Sequence, residues 1–139
     1  MSAAPLTRMP DDPVLRALWA KSPAGLASSG ETLVEHTAWV LTRLADQKRL
    51  RPHLAEEIGQ PRLWHRLYWA AFIHDWGKVA PGFQRQVREG GYQWGRRHEV
   101  LSLAFLPYVA EREAEDWGWM AAAIASHHRE EQTLRGQYN

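Results

Sequence analysis

The sequence predicts an all-α protein, a compact helical bundle of one domain. Three observations carry that expectation. Apolar residues recur at helical spacing in four long segments. No β-rich alternation, internal repeat or low-complexity tract interrupts them. The 139-residue chain, 45% hydrophobic, suits a single domain around one core.

Pro5, Pro10, Pro13 and Pro23 mark an irregular start, with a short helix expected around Val14 to Ala20. Ser28 to Thr32 carries the small polar residues that begin a helix. Leu33, His36, Trp39, Val40, Leu41 and Leu44 then share one helical face, and that helix should run to about Gln47. Leu54 to Ile58 reads as a short helical turn closed by Gly59 and Pro61. Arg62 to His74 reads as a second long helix with Leu63, Leu67, Ala70, Ala71 and Ile73 apolar. A short helix is expected over Phe83 to Arg88 and a loop over Gly90 to Gly95. His98 to Arg112 reads as a third long helix, kinked or broken at Pro107. Trp117 to His128 reads as a fourth. Of the eight tryptophans, Trp39, Trp64 and Trp69 are expected in the core.

Composition excludes several classes. There is no cysteine, so disulfides and thiolate metal ligands are ruled out, and any metal must sit on nitrogen and oxygen. A net charge of +1 gives no basic footprint for nucleic acid. The N-terminal stretch lacks a signal-peptide core. No apolar run approaches the roughly 18 residues of a membrane span. A soluble, cytoplasmic protein without a membrane partner is expected.

The chemistry-bearing residues gather at helix ends. His36 sits within the apolar set of its helix; taken alone it reads as a core histidine whose ring nitrogens find partners. His74 and Asp75 end a long apolar helix, where a carboxylate is costly unless paired or metal-bound. An ion pair between Asp75 and Lys78 is the competing reading. His98 opens a helix within a charged stretch. His127 and His128 close one, where imidazoles could simply meet the helix dipole. Jointly the pattern says more. Five of the seven histidines border the apolar core, and four segments deliver His, His-Asp, His and His-His. Imidazole is the commonest protein metal ligand and carboxylate a usual bridging anion, so these residues form a candidate two-metal site. His53 and His65 read as incidental, in loop or surface positions.

In this order the motifs resemble the HD phosphohydrolase superfamily, and more narrowly the HD nuclease domain of Cas3 from type I CRISPR systems. LWAKSP (Leu18 to Pro23) looks like that family's opening, and ETLVEHT (Glu31 to Thr37) supplies its first histidine. HDWGKVAPGFQ (His74 to Gln84) is similar to its HD-x-GK-x4-FQ signature. RRHEVLS (Arg96 to Ser102) and SHH (Ser126 to His128) are similar to its later segments.

The resemblance implies a ligand set. His36, His74 and Asp75 would surround one metal. Asp75 would also reach a second, completed by His98, His127 and His128. Lys78 would contact a phosphate oxygen. The superfamily normally adds an aspartate downstream of the histidine pair, whereas the last aspartate here is Asp116. The expectation is therefore that residues 1–139 are C-terminally truncated or belong to a longer helicase–nuclease chain.

Two metals about 3.5–4 Å apart can bind a scissile phosphate, generate hydroxide and stabilise the leaving oxygen. Asp75 and Lys78 are the expected catalytic residues, Lys78 adding positive charge where negative charge builds up. A histidine-rich site suits Mn, Fe, Co, Ni or Zn better than Mg, which prefers oxygen ligands. Arg85, Arg97 and Trp76, with Lys78, are the expected substrate contacts, Trp76, Tyr92 and Trp94 offering faces for bases. The resemblance implies cleavage of single-stranded DNA in CRISPR interference. The implied partners are a Cas3 helicase domain in cis or in trans and a Cascade-type surveillance complex. Two alternatives remain: a nucleotide or phosphomonoester phosphohydrolase, and a catalytically weak HD scaffold that docks a helicase or CRISPR complex.

Overall fold

The longest helix begins with a reciprocal cap. In the computed structural model, which describes residues 12–112 and 114–128, the Thr32 hydroxyl accepts from the Glu35 backbone N–H and the Glu35 carboxylate accepts from the Thr32 backbone N–H. That satisfies two otherwise orphaned donors. The helix α2 (Leu33–Leu50) then buries Leu33, His36, Thr37 and Leu41, one face at three- and four-residue spacing. Before it come α1 (Pro13–Ala17), capped by the Asp12 side chain, and two strands, β1 (Trp19–Lys21) and β2 (Glu31–Thr32). These pair antiparallel, Trp19 opposite Thr32 and Lys21 opposite Glu31. The short helix expected to reach Ala20 therefore stops at Ala17, and Trp19 and Ala20 are extended instead; strands of three and two residues are too short to show alternation in the sequence.

After the short α3 (Leu54–Glu57), α4 (Leu63–Ile73) leads to a 3-10 turn (Trp76–Val79) and α5 (Pro81–Arg88). The expected long third helix is not continuous. An α-helical piece, α6 (His98–Ser102), passes into a 3-10 segment over Leu103–Tyr108. Pro107 lies inside that segment; it has no N–H to donate, and its ring would clash with the Leu103 carbonyl of a regular α-turn. The last helix, α7 (Glu115–Ser126), ends just before His127.

Ala70 and Ile73 of α4, Leu106 of the 3-10 segment, and Met120 and Ile124 of α7 form the buried core, with Trp69, Phe72, Leu103, Phe105 and Trp117 packed around it. Trp64 is half-buried. Trp39 does not join the core: it is 55% exposed, with the Arg43 guanidinium 5.5 Å from its ring centroid. Its helix turns one face to the core, and position 39 falls outside it.

Helices α4 and α7 run side by side in the same direction. Near their N-termini, buried Asp116 accepts from Arg66 (Oδ1, 2.6 Å) and from Arg62 through Oδ2. Arg66 also reaches Glu115 at 2.8 Å and Gln60 at 2.9 Å. At their C-termini the rings of His74 and His127 meet edge to face, 4.8 Å apart. Among the described residues no helix is long and apolar enough to cross a membrane.

Candidate metal centre

Asp75 is the hub, 1% exposed. The helix α4 ends at His74, and the chain tightens into the 3-10 turn, so the Asp75 carboxylate points across the bundle. Its two oxygens face different groups. Oδ2 lies 3.1 Å from His36 Nε2, 3.4 Å from His74 Nε2 and 2.7 Å from Lys78 Nζ. Oδ1 lies 3.1 Å from His98 Nε2, 3.3 Å from His127 Nε2 and 4.0 Å from His128 Nε2. His36, His74 and Asp75 thus make one cluster, and Asp75, His98, His127 and His128 the other; within each, the ligand-type atoms all lie within 4.8 Å of one another.

The rings are oriented from behind. His74 Nδ1 lies 2.7 Å from the Ala71 carbonyl and His127 Nδ1 2.6 Å from that of Ile124. A carbonyl only accepts, so each Nδ1 carries the proton. In the neutral tautomer each Nε2 then presents a lone pair to the Asp75 carboxylate. Lone pair against anion is repulsive unless a proton or a metal cation lies between. Five protonated imidazoles around one carboxylate would be strongly self-repelling, so the donor set fits divalent cations. Glu31 backs His36 in the same way, with Oε1 3.2 Å from Nδ1.

The electrostatics follow. Where no cation lies between ring and carboxylate, protons on the imidazoles take that place: burial pushes the Asp75 carboxyl up, but hydrogen bonds from His127, His36, His74 and His98 outweigh it and hold it far below the usual carboxylate range. Burial lowers His127, yet the Asp75 hydrogen bond and the Ile124 carbonyl leave it raised. His128 is lowered by burial and by its neighbours His127 and His98. For Glu31, burial is outweighed by Lys21 and His36, and its carboxyl is lowered.

Two close approaches seat the histidines. The Gly77 N–H donates to Ser102 Oγ at 2.8 Å, and Ser102 Oγ donates to the His98 carbonyl at 3.0 Å. This docks the 3-10 turn on α6. Lys78 is buried, and besides Asp75 it donates to the Ala20 carbonyl at 3.2 Å. Gln84 holds that carbonyl's strand in place: it accepts from the Trp19 N–H and donates to the carbonyls of Trp19 and Lys78.

The structure brings together all six residues read as metal ligands, with Lys78 beside them. The other residues read as substrate contacts are engaged elsewhere. Trp76 packs between Phe72 and Phe105, with ring centroids at 4.8 and 5.4 Å. Arg85 pairs with Glu89 at 2.7 Å and lies over the Tyr92 ring. Arg97 pairs with Glu99 at 2.6 Å and donates to the Ala125 carbonyl. His53 is exposed, and His65 is half exposed, 3.7 Å from Asp116. Sequence reasoning missed Glu31, Ser102 and Gln84. Of these only Glu31 left a signal, an acid five residues before a buried histidine. Residues 129–139 contain no aspartate and lie outside the described residues.

No curated protein and no solved structure matches this chain significantly. A family model described as "Cas3, HD domain" matches residues 19–138, nearly the whole chain. The chain therefore belongs to the Cas3 HD-domain family, within the HD superfamily of metal-dependent phosphohydrolases and nucleases.

Proposed function

We propose that this protein is a metal-dependent nuclease that hydrolyses phosphodiester bonds of single-stranded DNA, using two divalent transition-metal ions, and that it acts in type I CRISPR interference. One observation carries the reading: a single buried carboxylate presents one oxygen to each of two histidine clusters. A phosphate diester is anionic, and imidazole ligands hold cations without adding negative charge near it. Mn, Fe, Co, Ni or Zn fit such a nitrogen-rich set better than Mg.

His36 and His74 would hold one ion and His98, His127 and His128 the other, with Asp75 shared. Such a pair of ions supplies Lewis acidity and an activated water nucleophile. The protein's own part is positional. The Ala71 and Ile124 carbonyls and Glu31 fix the tautomers that keep Nε2 free. Lys78 donates to Asp75 Oδ2; an ammonium has three donors, and two are used on Asp75 and Ala20. The third could meet a phosphate oxygen. A Cas3 helicase domain and a Cascade-type complex are the proposed partners, in keeping with the family.

The test is cleavage of labelled single-stranded DNA by metal-stripped protein resupplied with Mn, Co, Ni or Mg, with Asp75→Ala alongside. Metal-dependent cutting should fall about a thousandfold or more in the variant, since metal Lewis acidity is worth several kcal/mol in the transition state. Wild-type rates in Asp75→Ala would remove the assignment. Turnover of mononucleotides but not of DNA would favour a phosphomonoesterase. No turnover with any metal would favour a docking scaffold.

A further inference from the structure

Trp76, Arg85 and Arg97 are engaged by the protein itself, and an open surface lies along α6, the helix that carries His98. It is a groove of about 630 Å³ lined by Trp94, Gly95, Arg96, Arg97, Val100 and Leu101. That lies within the roughly 300–1,000 Å³ of ordinary small-ligand sites. Its position is set by α6. Val100 and Leu101 follow His98 on that helix, and Arg97 immediately precedes it. Arg97 also touches the Ala125 carbonyl, just ahead of His127 and His128. Within the centre the cover is thinnest at His128, whose side chain is 50% exposed, against 10% for His36 and 14% for both His74 and His98.

The groove has the chemistry of a nucleotide. Val100 and Leu101 are apolar yet 47% and 40% exposed. Trp94 is held rigidly at one end. Its backbone N–H donates to Gln86 at 2.9 Å, and its ring lies on Gly82, where a Cβ would stand 2.0 Å from the indole nitrogen. Arg96 is exposed, and among the described residues no hydrogen bond or ion pair engages it. The lining holds two arginines and no carboxylate. An apolar floor, an aromatic wall and a free guanidinium match a base joined to a phosphate.

We propose that this groove seats one nucleotide of the strand being cut, on the His98–His128 side of the scissile phosphate. The base lies against Trp94, Val100 and Leu101, and its phosphate meets Arg96. The proposal rests on the nuclease reading above. It moves substrate recognition from Arg97, Arg85 and Trp76 to Arg96 and Trp94.

The experiment compares wild type, Trp94→Ala, Trp94→Phe and Arg96→Ala as metal-loaded full chains. Two probes are used: a single-stranded oligonucleotide and its abasic counterpart, which keeps the sugar–phosphate chain but lacks bases. Both cleavage and binding by fluorescence anisotropy are read. Trp94→Ala should raise the KM and Kd for the normal strand about tenfold, the scale of one lost base–aromatic stack. It should barely alter those for the abasic strand, and Trp94→Phe should restore most of the loss. Arg96→Ala should weaken both strands and reduce the slope of log affinity against log salt by about 0.7, the signature of one phosphate contact on a single strand.

Unchanged KM and Kd in Trp94→Ala and Arg96→Ala would overturn the proposal and leave the groove to a protein partner. Equal losses on both strands in Trp94→Ala, unrelieved by Phe, would make Trp94 structural and overturn the base contact. If wild type binds DNA without cutting it, the nuclease reading fails while the same Kd pattern still supports the groove. If it neither binds nor cuts, both fall.

Discussion

Gly77 is packed so tightly on His98 that a Cβ added to it would stand 1.9 Å from the His98 carbonyl oxygen and 2.8 Å from the Ser102 backbone nitrogen. Both are backbone atoms and cannot swing away. The glycine therefore sets how closely the turn carrying Asp75 approaches the helix carrying His98. Gly77→Ala should push them apart, destabilise the fold by roughly 1–3 kcal/mol and weaken the His98 cluster's metal affinity. Urea unfolding and metal titration would show this; a wild-type response in both would mean that the two backbones yield freely.

The division of Asp75 predicts separable metal losses. His36→Ala should cost the ion held with His74, and His98→Ala the ion held with His127 and His128. Metal content measured after gel filtration should fall from about two ions to about one in each, and further in Asp75→Ala. Loss of both ions in His36→Ala would mean that the clusters load only together.

Glu31 should tune metal binding without touching metal. It accepts from His36 Nδ1 and pairs with Lys21 at 2.8 Å. Glu31→Gln keeps the size but removes the charge behind the ring. Metal affinity at the His36 cluster should fall about 10- to 100-fold, the usual cost of losing such a partner. An unchanged affinity would show that the contact merely neutralises Lys21.

The pin between α4 and α7 should be acid-sensitive. Hydrogen bonds from Arg62 and Arg66 draw the Asp116 carboxyl down from 3.8 to about 2. A carboxyl lowered in the folded state contributes stability that is complete above its unfolded value and lost as pH falls through its folded value. Metal-free protein should therefore lose part of its stability between about pH 4 and pH 2. Asp116→Asn should flatten that segment of the profile and lower the melting temperature at neutral pH by roughly 5 °C. Thermal melts across the pH series would decide it.

The ligands were legible in the sequence because a buried imidazole or carboxylate has few reasons to interrupt an apolar helix. His74, Asp75 and the His127–His128 pair stand out for that reason, and the structure collects them with His36 and His98. Arg66 and Asp116 were not legible. Fifty residues separate them, and each looks like an ordinary surface charge until the helices are set side by side. Pro107 announced a break, but not that the turns ahead of it would tighten from Leu103 onward. Trp39 misled because a helix has several apolar positions and only one buried face. Arg85, Arg97 and Trp76 lie near the centre in sequence, yet nearness along the chain says nothing of which neighbours claim a side chain.

The pairing of α4 with α7 makes helix length itself part of the site. Asp116 precedes His127 by eleven residues, while Arg62 and Arg66 precede His74 by twelve and eight. Both helices thus act as rulers of similar measure, about 16 Å in α7 and roughly 12 to 18 Å in α4 at 1.5 Å per residue, clamped at one end and read at the other. A single residue inserted into either would turn its histidine by about 100° and advance it by about 1.5 Å. Substitutions along the exposed faces between clamp and centre should be tolerated freely, while insertions and deletions there should not, although none of those residues touches a ligand.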